Sequence, residues 1–319
     1  MTTVLLVVHP ERPAAQALAE TARRWWEARG HRVLSPEDPE LTPGEPGTSD
    51  GAAVPGSGAR LEAAVPLDLA VSLGGDGTML RTVQLAFPRQ APVLGINLGH
   101  MGYLAELEPA GMQRAFERFE LGDYKVEERL ALEVVVDSAA AGAPAGAGSA
   151  GGPAVRGTTS RSAEATASRG GPFLALNEVI IEKTGPGHTI RVGVDISGRR
   201  FLTYVADGLL VCTPTGSTAY NLSARGPVVS PQLRAIVLTP VAPHLVFDRS
   251  LVLSSDEVLA LALLDGRPAA AVLDGSRIVP LEVGDVVRCQ ESKEPALLVT
   301  FGDRDFHAVL RSRFGLTDR

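Results

Sequence analysis

Residues 73–79 read LGGDGTM and stand between an apolar run at 67–73 and a segment whose apolar residues recur at helical spacing. Glycines without a Cβ let backbone N–H groups close on a phosphate, and a helix N-terminus adds a favourable dipole. Gly74, Gly75, Gly77 and Thr78 are therefore candidates to cradle nucleotide phosphates. Asp76 sits inside that cradle. An acidic side chain among anions is unfavourable unless it holds Mg²⁺ or takes the proton of a reacting hydroxyl. A strand-to-helix turn with an aspartate cap would use the same residues, so the loop alone leaves both readings open.

Two further segments carry polar chemistry. At 207–223 the chain reads DGLLVCTPTGSTAYNLS, an apolar strand emptying into hydroxyl residues and glycine and then into a helix holding Tyr220. Such a surface suits ribose, amide or phosphate, although serine and threonine also cap turns. Asn177 and Glu178 lie in an apolar run at 173–181, where adjacent side chains of one strand would point to opposite faces. One of the two should then meet a core or a cleft. No GxxxxGK[ST] sequence occurs, and no strand is followed by GxGxxG, so nucleotide chemistry must use another loop.

The elements that must position these residues change character along the chain. Residues 4–8 form a continuous apolar run, the pattern of a strand covered on both faces. Leu18, Ala22, Trp25 and Trp26 mark a helix over 13–29, with Gly30 at its C-terminal cap and at least one tryptophan packed on the sheet. Residues 32–34, 67–73 and 93–96 are further strands. Met79, Leu80, Val83, Ala86 and Phe87 mark a helix stopped by Pro88, and Met112, Phe116 and Phe119 mark another. This alternation predicts an α/β domain with a mostly parallel sheet.

Strand patterns then dominate, at 131–136, 174–182, 190–196, 201–205, 235–239, 250–253, 257–264, 269–273, 277–281 and 285–290, several joined by Asp-Gly or Gly-Asp turns. They predict an all-β, sandwich-like second domain. Residues 306–314 return to helical spacing and should pack on the first domain. The expected division is 1–122 with 299–319 for the α/β domain and 123–298 for the β domain. Residues 35–60 read as a long loop, and 138–172, rich in Ala, Gly, Ser, Thr and Pro, as a disordered insert between two strands. Closing an insert of that size costs only about 3 kcal/mol.

The 319 residues are 45% hydrophobic and 21% charged with a net charge of −7, which suggests neither a nucleic-acid partner nor a membrane surface. The longest apolar run, 258–264, is far short of the roughly 20 residues that span a bilayer. The N-terminus lacks the basic start of a signal peptide, and a cytoplasmic protein is expected. Cys212 and Cys289 offer no disulfide framework, and Cys212 reads as a small buried hydrophobe. His244 reads as a structural hydrogen-bonding residue.

GGDGT at 74–78, NE at 177–178 and TPTGSTAY at 213–220, in this order and spacing, resemble the NAD kinase family. NLGHMGYLAE at 97–106 and TPVAPH at 239–244 look like that family too, so the resemblance covers nearly the whole chain outside the two low-complexity stretches. GGDGT alone is shared with diacylglycerol and sphingosine kinases. The resemblance implies an active site between the two domains and transfer of the terminal phosphoryl group of ATP, with Mg²⁺, to the 2′-hydroxyl of the adenosine ribose of NAD. By the same resemblance Asp76 is the base and Gly77 approaches the same ligand. Asn177 and Glu178 hold adenine and ribose, and Asp207 reaches the nicotinamide amide. Thr218, Ala219, Tyr220, Asn221, Leu222 and Ser223 line the dinucleotide, Arg81 brings positive charge near phosphate, and His188 occupies the place of a basic ligand contact in some members. A homodimer or homotetramer is also implied.

The sequence departs from the family at Val205, where several members have arginine, at His100, a position often basic, and at Arg225, which replaces a common glycine. These bear on preference among NAD, NADH and NADP. Two rival functions remain at this level. A lipid or sphingoid kinase would need an apolar acceptor tunnel, which the hydroxyls of 207–223 do not suggest. A dinucleotide sensor without turnover would be expected to have lost Asp76.

Overall fold

The computed structural model describes residues 1–41, 65–99, 102–105, 107–139, 168–244, 247–302 and 305–316. The first sheet has the order β2 (Arg32–Leu34), β1 (Thr3–Val8), β3 (Leu69–Gly74), β4 (Val93–Asn97), β18 (Ala296–Thr300), β5 (Lys125–Arg129). All its neighbours are parallel except β18 and β5. Its central strands are apolar throughout because both faces are covered. Leu5, Val7, Ala70 and Val93 pack under α2 (Asp76–Ala86) with Met79 and Val83. Val4, Leu6, Val71 and Leu94 pack on the other side, with α1 (Pro13–Glu27) and α3 (Met112–Glu120). Both tryptophans of α1 are buried there, their rings 5.3 and 5.0 Å from that of Phe116.

The remaining strands make a sandwich. One sheet is β10 (Arg199–Ala206), β9 (Ile190–Ile196), β14 (Leu259–Leu263), β17 (Val286–Glu291), β6 (Leu132–Asp137), β7 (Ser168–Ala175). The other is β13 (Leu251–Ser254), β12 (Ala235–Val241), β11 (Gly208–Cys212), β8 (Glu178–Lys183), β15 (Ala269–Leu273), β16 (Arg277–Leu281). All their pairs are antiparallel. Leu132, Val192, Leu261 and Val287 from the first of these sheets meet Ile181, Leu209, Val211 and Ile236 from the second in one core. Alternate burial along β6 follows from one face packing inward and the other facing solvent.

Three expectations need correction. The run at 174–182 is two strands, not one. It breaks at Leu176 and Asn177, where the chain crosses from one layer of the sandwich to the other. An apolar run records burial, and the corner is buried, so the break left no mark in composition. The insert ends earlier than residue 172: 168–172 belong to β7, paired with β6 through Val136↔Gly170 and Asp137↔Ser168. Glycine and serine there hid the strand, and 140–167 lie outside the described residues. Finally, β5 and β18 carry the first sheet past the boundaries at 122/123 and 298/299. The charged sequence KVEER of β5 has no apolar alternation to announce it. The proposed loop at 35–60 is described only to residue 41.

Candidate active site

β3 delivers the chain into α2 at the glycine loop, with Asp76 as the first helical residue and Gly75 as an N-cap that makes no side-chain bond. The three glycines have different reasons to be there. A Cβ on Gly74 would lie 2.2 Å from Oγ1 of buried Thr78, so these two residues pack against each other. A Cβ on Gly75 or Gly77 would meet nothing within 4 Å, which leaves their backbone open to an approaching ligand. Arg81 is exposed on the same helix.

The Asp76 carboxylate is fixed from the side. Tyr103 N–H donates to Oδ2 at 3.0 Å and Leu104 N–H to Oδ1 at 3.2 Å. Gly102 lets that segment come so close: a Cβ on it would lie 2.0 Å from Oδ1. Each carboxylate oxygen keeps a lone pair beyond these two bonds. Tyr103 and Leu104 also line a cavity of about 200 Å³ with Arg129, Thr215, Thr218 and His307. Its walls come from both halves of the molecule. Arg129 Nη1 donates to Thr215 Oγ1 at 3.4 Å, and the Arg313 guanidinium of α5 (Phe306–Phe314) lies 5.1 Å from the centre of the Tyr103 ring.

At the sandwich corner, Asn177 and Glu178 are both buried. Burial, and then the neighbouring Asp274 carboxylate, push the Glu178 carboxyl up to about 8, against a hydrogen bond from the Tyr220 backbone. Its Oε2 has no hydrogen-bond partner. Beyond the corner, Thr213 Oγ1 donates to Leu176 O at 2.6 Å and Thr213 N–H to Asn177 O at 2.9 Å. Gly216 packs so tightly that a Cβ would lie 2.1 Å from Asn177 O.

The hydroxyl segment is a 3₁₀ turn at Thr215–Thr218 followed by a single turn of helix, α4 (Tyr220–Ser223). Tyr220 is brought beside Glu182, Asp207 and Glu178, and burial followed by these charges raises its hydroxyl. Lys183 Nζ donates to Asp207 Oδ1 at 2.7 Å. Asn221 is fully buried, and its amide is committed to structure: Nδ2 donates to Ser217 O and Pro227 O, and Oδ1 accepts from Thr239 Oγ1 at 2.7 Å. Ala219, Leu222 and Ser223 sit on the same turns. His188 bonds within its own turn, to Pro186 O at 3.2 Å. Burial and the nearby Glu178 raise the Cys212 thiol, as suits a buried hydrophobe.

The departures also acquire a place. Arg225 has φ +64°, a conformation that glycine adopts freely and that arginine meets here at some strain. Val205 lies on β10 and its carbonyl accepts from His244 N–H at 2.8 Å. His100 lies outside the described residues. Sequence reasoning missed Asp274, Lys183 and Arg129. Asp274 was hidden as one of several Asp-Gly hairpin turns, and the other two as ordinary strand charges.

Family models described as the ATP-NAD kinase N-terminal and C-terminal domains match residues 4–124 and 176–301. The chain is 34% identical over 315 residues to an NAD kinase of Heliobacterium modesticaldum, covering 98% of each. It is 37% identical over 325 residues to NAD kinase 1 of Streptomyces avermitilis, covering 100% of this chain and 88% of the relative. Two solved structures share the fold. Yeast NADH kinase complexed with NADH has a TM-score of 0.74 at 22% identity, covering 100% of this chain and 89% of that one. An NAD kinase from Archaeoglobus fulgidus in complex with ATP has a TM-score of 0.67 at 22% identity, covering 99% of each. The chain belongs to the NAD kinase family, the enzymes that phosphorylate NAD to NADP.

Proposed function

We propose that Asp76 is the general base of the transfer and that Asn177 and Glu178 are the acceptor clamp. As the 2′-hydroxyl of the adenosine ribose attacks the γ-phosphorus of ATP, its proton passes to Asp76. The bond between that phosphorus and the β,γ-bridging oxygen breaks, and ADP leaves with the bridging oxygen. The observation that carries this reading is the Asp76 carboxylate, fixed by the N–H groups of Tyr103 and Leu104, two residues lining the cavity shared with Thr215 and Thr218. Gly75 and Gly77 present open backbone to phosphate at the start of α2, Arg81 adds positive charge, and Gly74 and Thr78 shape the turn. Asn177, Glu178, Asp207 and the 218–223 turns face the dinucleotide, with Asn221 supporting the turn from behind and His188 at the periphery.

The Asp76 carboxylate keeps a lone pair on each oxygen at the open glycine loop, which fits Mg²⁺ carried on the triphosphate. Asp76 is the loop carboxylate that would share it, and the ion would offset triphosphate charge. Exposed Val252 and Ile278 on the edge strands β13 and β16 suit a homodimer or homotetramer. Two free buried cysteines suit a reducing, cytoplasmic compartment.

The test is Asp76→Asn, assayed for NADP at rising Mg²⁺. Loss of the base lowers turnover about 10²- to 10⁴-fold, and added metal does not restore it. Partial rescue by metal would move Asp76 from proton acceptor to metal holder.

A further inference from the structure

Asp274 reads in the sequence as the first residue of a hairpin turn, and the β15–β16 turn is indeed closed by Ser276 N–H donating to Leu273 O at 3.0 Å. Both central residues have positive φ, +45° at Asp274 and +65° at Gly275. Asparagine meets that requirement at least as well as aspartate. The turn therefore does not explain why the side chain is a carboxylate. Nor does the solvent, because Asp274 is only 8% exposed.

Its bonds supply the reason. Oδ2 accepts from Leu176 N–H at 2.9 Å, and Oδ1 accepts from Asn177 N–H at 2.8 Å and Glu178 N–H at 3.1 Å. These three consecutive backbone donors lie where the chain turns between sheets. The side chain of Gln84, two turns beyond Asp76 on α2, lies beside the same carboxylate and favours its charged form. In return, Asp274 N–H donates to Glu178 O at 3.0 Å. Three backbone donors converging on two oxygens call for a group that only accepts, and an amide would turn its own N–H₂ toward some of them.

We propose that Asp274 is a positioning residue for the phosphoryl transfer: its carboxylate sets the placement of Asn177 and Glu178 and ties them to the helix that begins with Asp76. The inference rests on the reading of Asn177 and Glu178 as the acceptor clamp. The same carboxylate has an electrostatic effect on Glu178. The groups facing Glu178 are Asp274 from the β15–β16 turn, Cys212 from β11 and Tyr220 from α4. Burial first, and the Asp274 carboxylate second, raise the Glu178 carboxyl, while burial also raises that of Asp274 against its backbone donors, so the pair retains a proton that Glu178 can donate to its ligand.

The experiment compares Asp274→Asn, Gln84→Met, Glu178→Gln, Asn177→Ala and the unaltered protein in steady-state assays from pH 6 to 9, with melting temperatures recorded at each pH. Asp274→Asn keeps the turn. It is expected to raise KM for NAD about tenfold with KM for ATP within about twofold. The rise in KM for NAD on the alkaline side should begin at lower pH than in the unaltered protein, because Glu178 has lost its negative neighbour. Glu178→Gln should show no such alkaline rise. Gln84→Met leaves the corner donors in place and is expected to raise KM for NAD about threefold in a folded protein. It keeps the proposal testable if Asp274→Asn does not fold. Unchanged KM for NAD in a folded Asp274→Asn, or in Gln84→Met where that variant is the only one to fold, overturns the proposal. If Glu178→Gln and Asn177→Ala also leave KM for NAD unchanged, the clamp reading has failed and this proposal with it.

Discussion

The glycine loop and the sandwich corner each present a carboxyl group, and the two are built in opposite ways. Asp76 is partly exposed at the start of a helix, and two backbone N–H groups hold its carboxylate in a fixed direction. Glu178 is buried at 7% exposure, one of its oxygens has no partner, and its carboxyl is raised to about 8. On the proposed reading the first arrangement orients a proton acceptor toward an open loop. The second favours the protonated carboxyl, which on the same reading would donate a hydrogen bond to a sugar or base. One fold thus places two acidic residues in opposite environments, and the proposed roles follow from that difference.

The strongest way to break this contrast, short of removing Asp76, is to crowd it. In Gly102→Ala the new Cβ would lie 2.0 Å from Asp76 Oδ1, so the carboxylate must move. A displacement near 1 Å costs about 10² in rate when geometry is central to the step. Steady-state assays should show that loss in kcat, with KM for NAD nearly unchanged. A normal kcat would mean that the direction of Asp76 is unimportant.

Asn177→Ala and Glu178→Ala probe the other region. Both remove contacts made equally in ground and transition states, so KM for NAD should rise about tenfold while kcat changes less than about threefold. A kcat loss comparable to that of the Gly102 variant would erase the division between the two regions.

A smaller effect concerns stability. The folded protein holds the Glu178 proton up to about pH 8, whereas an ordinary glutamate releases it near 4.5. The folded state therefore binds the extra proton between those values, and stability falls as pH rises through that window before levelling off above it. The loss is at most about 1.4 kcal/mol per pH unit. Glu178→Gln has no such proton to lose, so relative to the unaltered protein it should gain a few kcal/mol between pH 5 and pH 9 in urea melts. A stability difference independent of pH would show that Glu178 is ionised in the folded protein.

The least effect is expected from replacing residues 140–167 with a short Gly-Ser linker. The composition there offers no core residues, and shortening a closed loop changes stability by only about 1 kcal/mol. Melting temperature and turnover should stay nearly constant, and a loss beyond about 2 kcal/mol would show that the segment packs.

Much of this contrast was legible beforehand, and the reason differs by residue. Asp76 stood out because an acidic residue among glycines at a strand end suggests either a ligand contact or a helix start, and it is the first residue of α2. The parallel sheet and the sandwich could be found because burial on two faces and on one face leave different hydrophobic periods. The corner at Leu176 and Asn177 could not, since a buried turn and a buried strand have the same composition. Asp274 was visible only as a turn former, because its role depends on three backbone donors about a hundred residues away. Gly102 stood within a quoted motif, yet its closeness to Asp76 is a fact of packing that spacing does not reveal.

The central claim is that Asp76 does chemistry while the corner holds substrate. It is tested most directly by measuring, side by side, the equilibrium affinity for NAD and the single-turnover rate of NADP formation in Asp76→Asn and Glu178→Ala. The account predicts that Asp76→Asn binds NAD within about threefold of the unaltered protein and turns over about 10²- to 10⁴-fold more slowly. It predicts that Glu178→Ala binds about tenfold more weakly and, once saturated, reacts at nearly the normal rate. A near-normal single-turnover rate in Asp76→Asn with NAD affinity intact would contradict it, leaving positioning and metal charge as the whole of the catalysis.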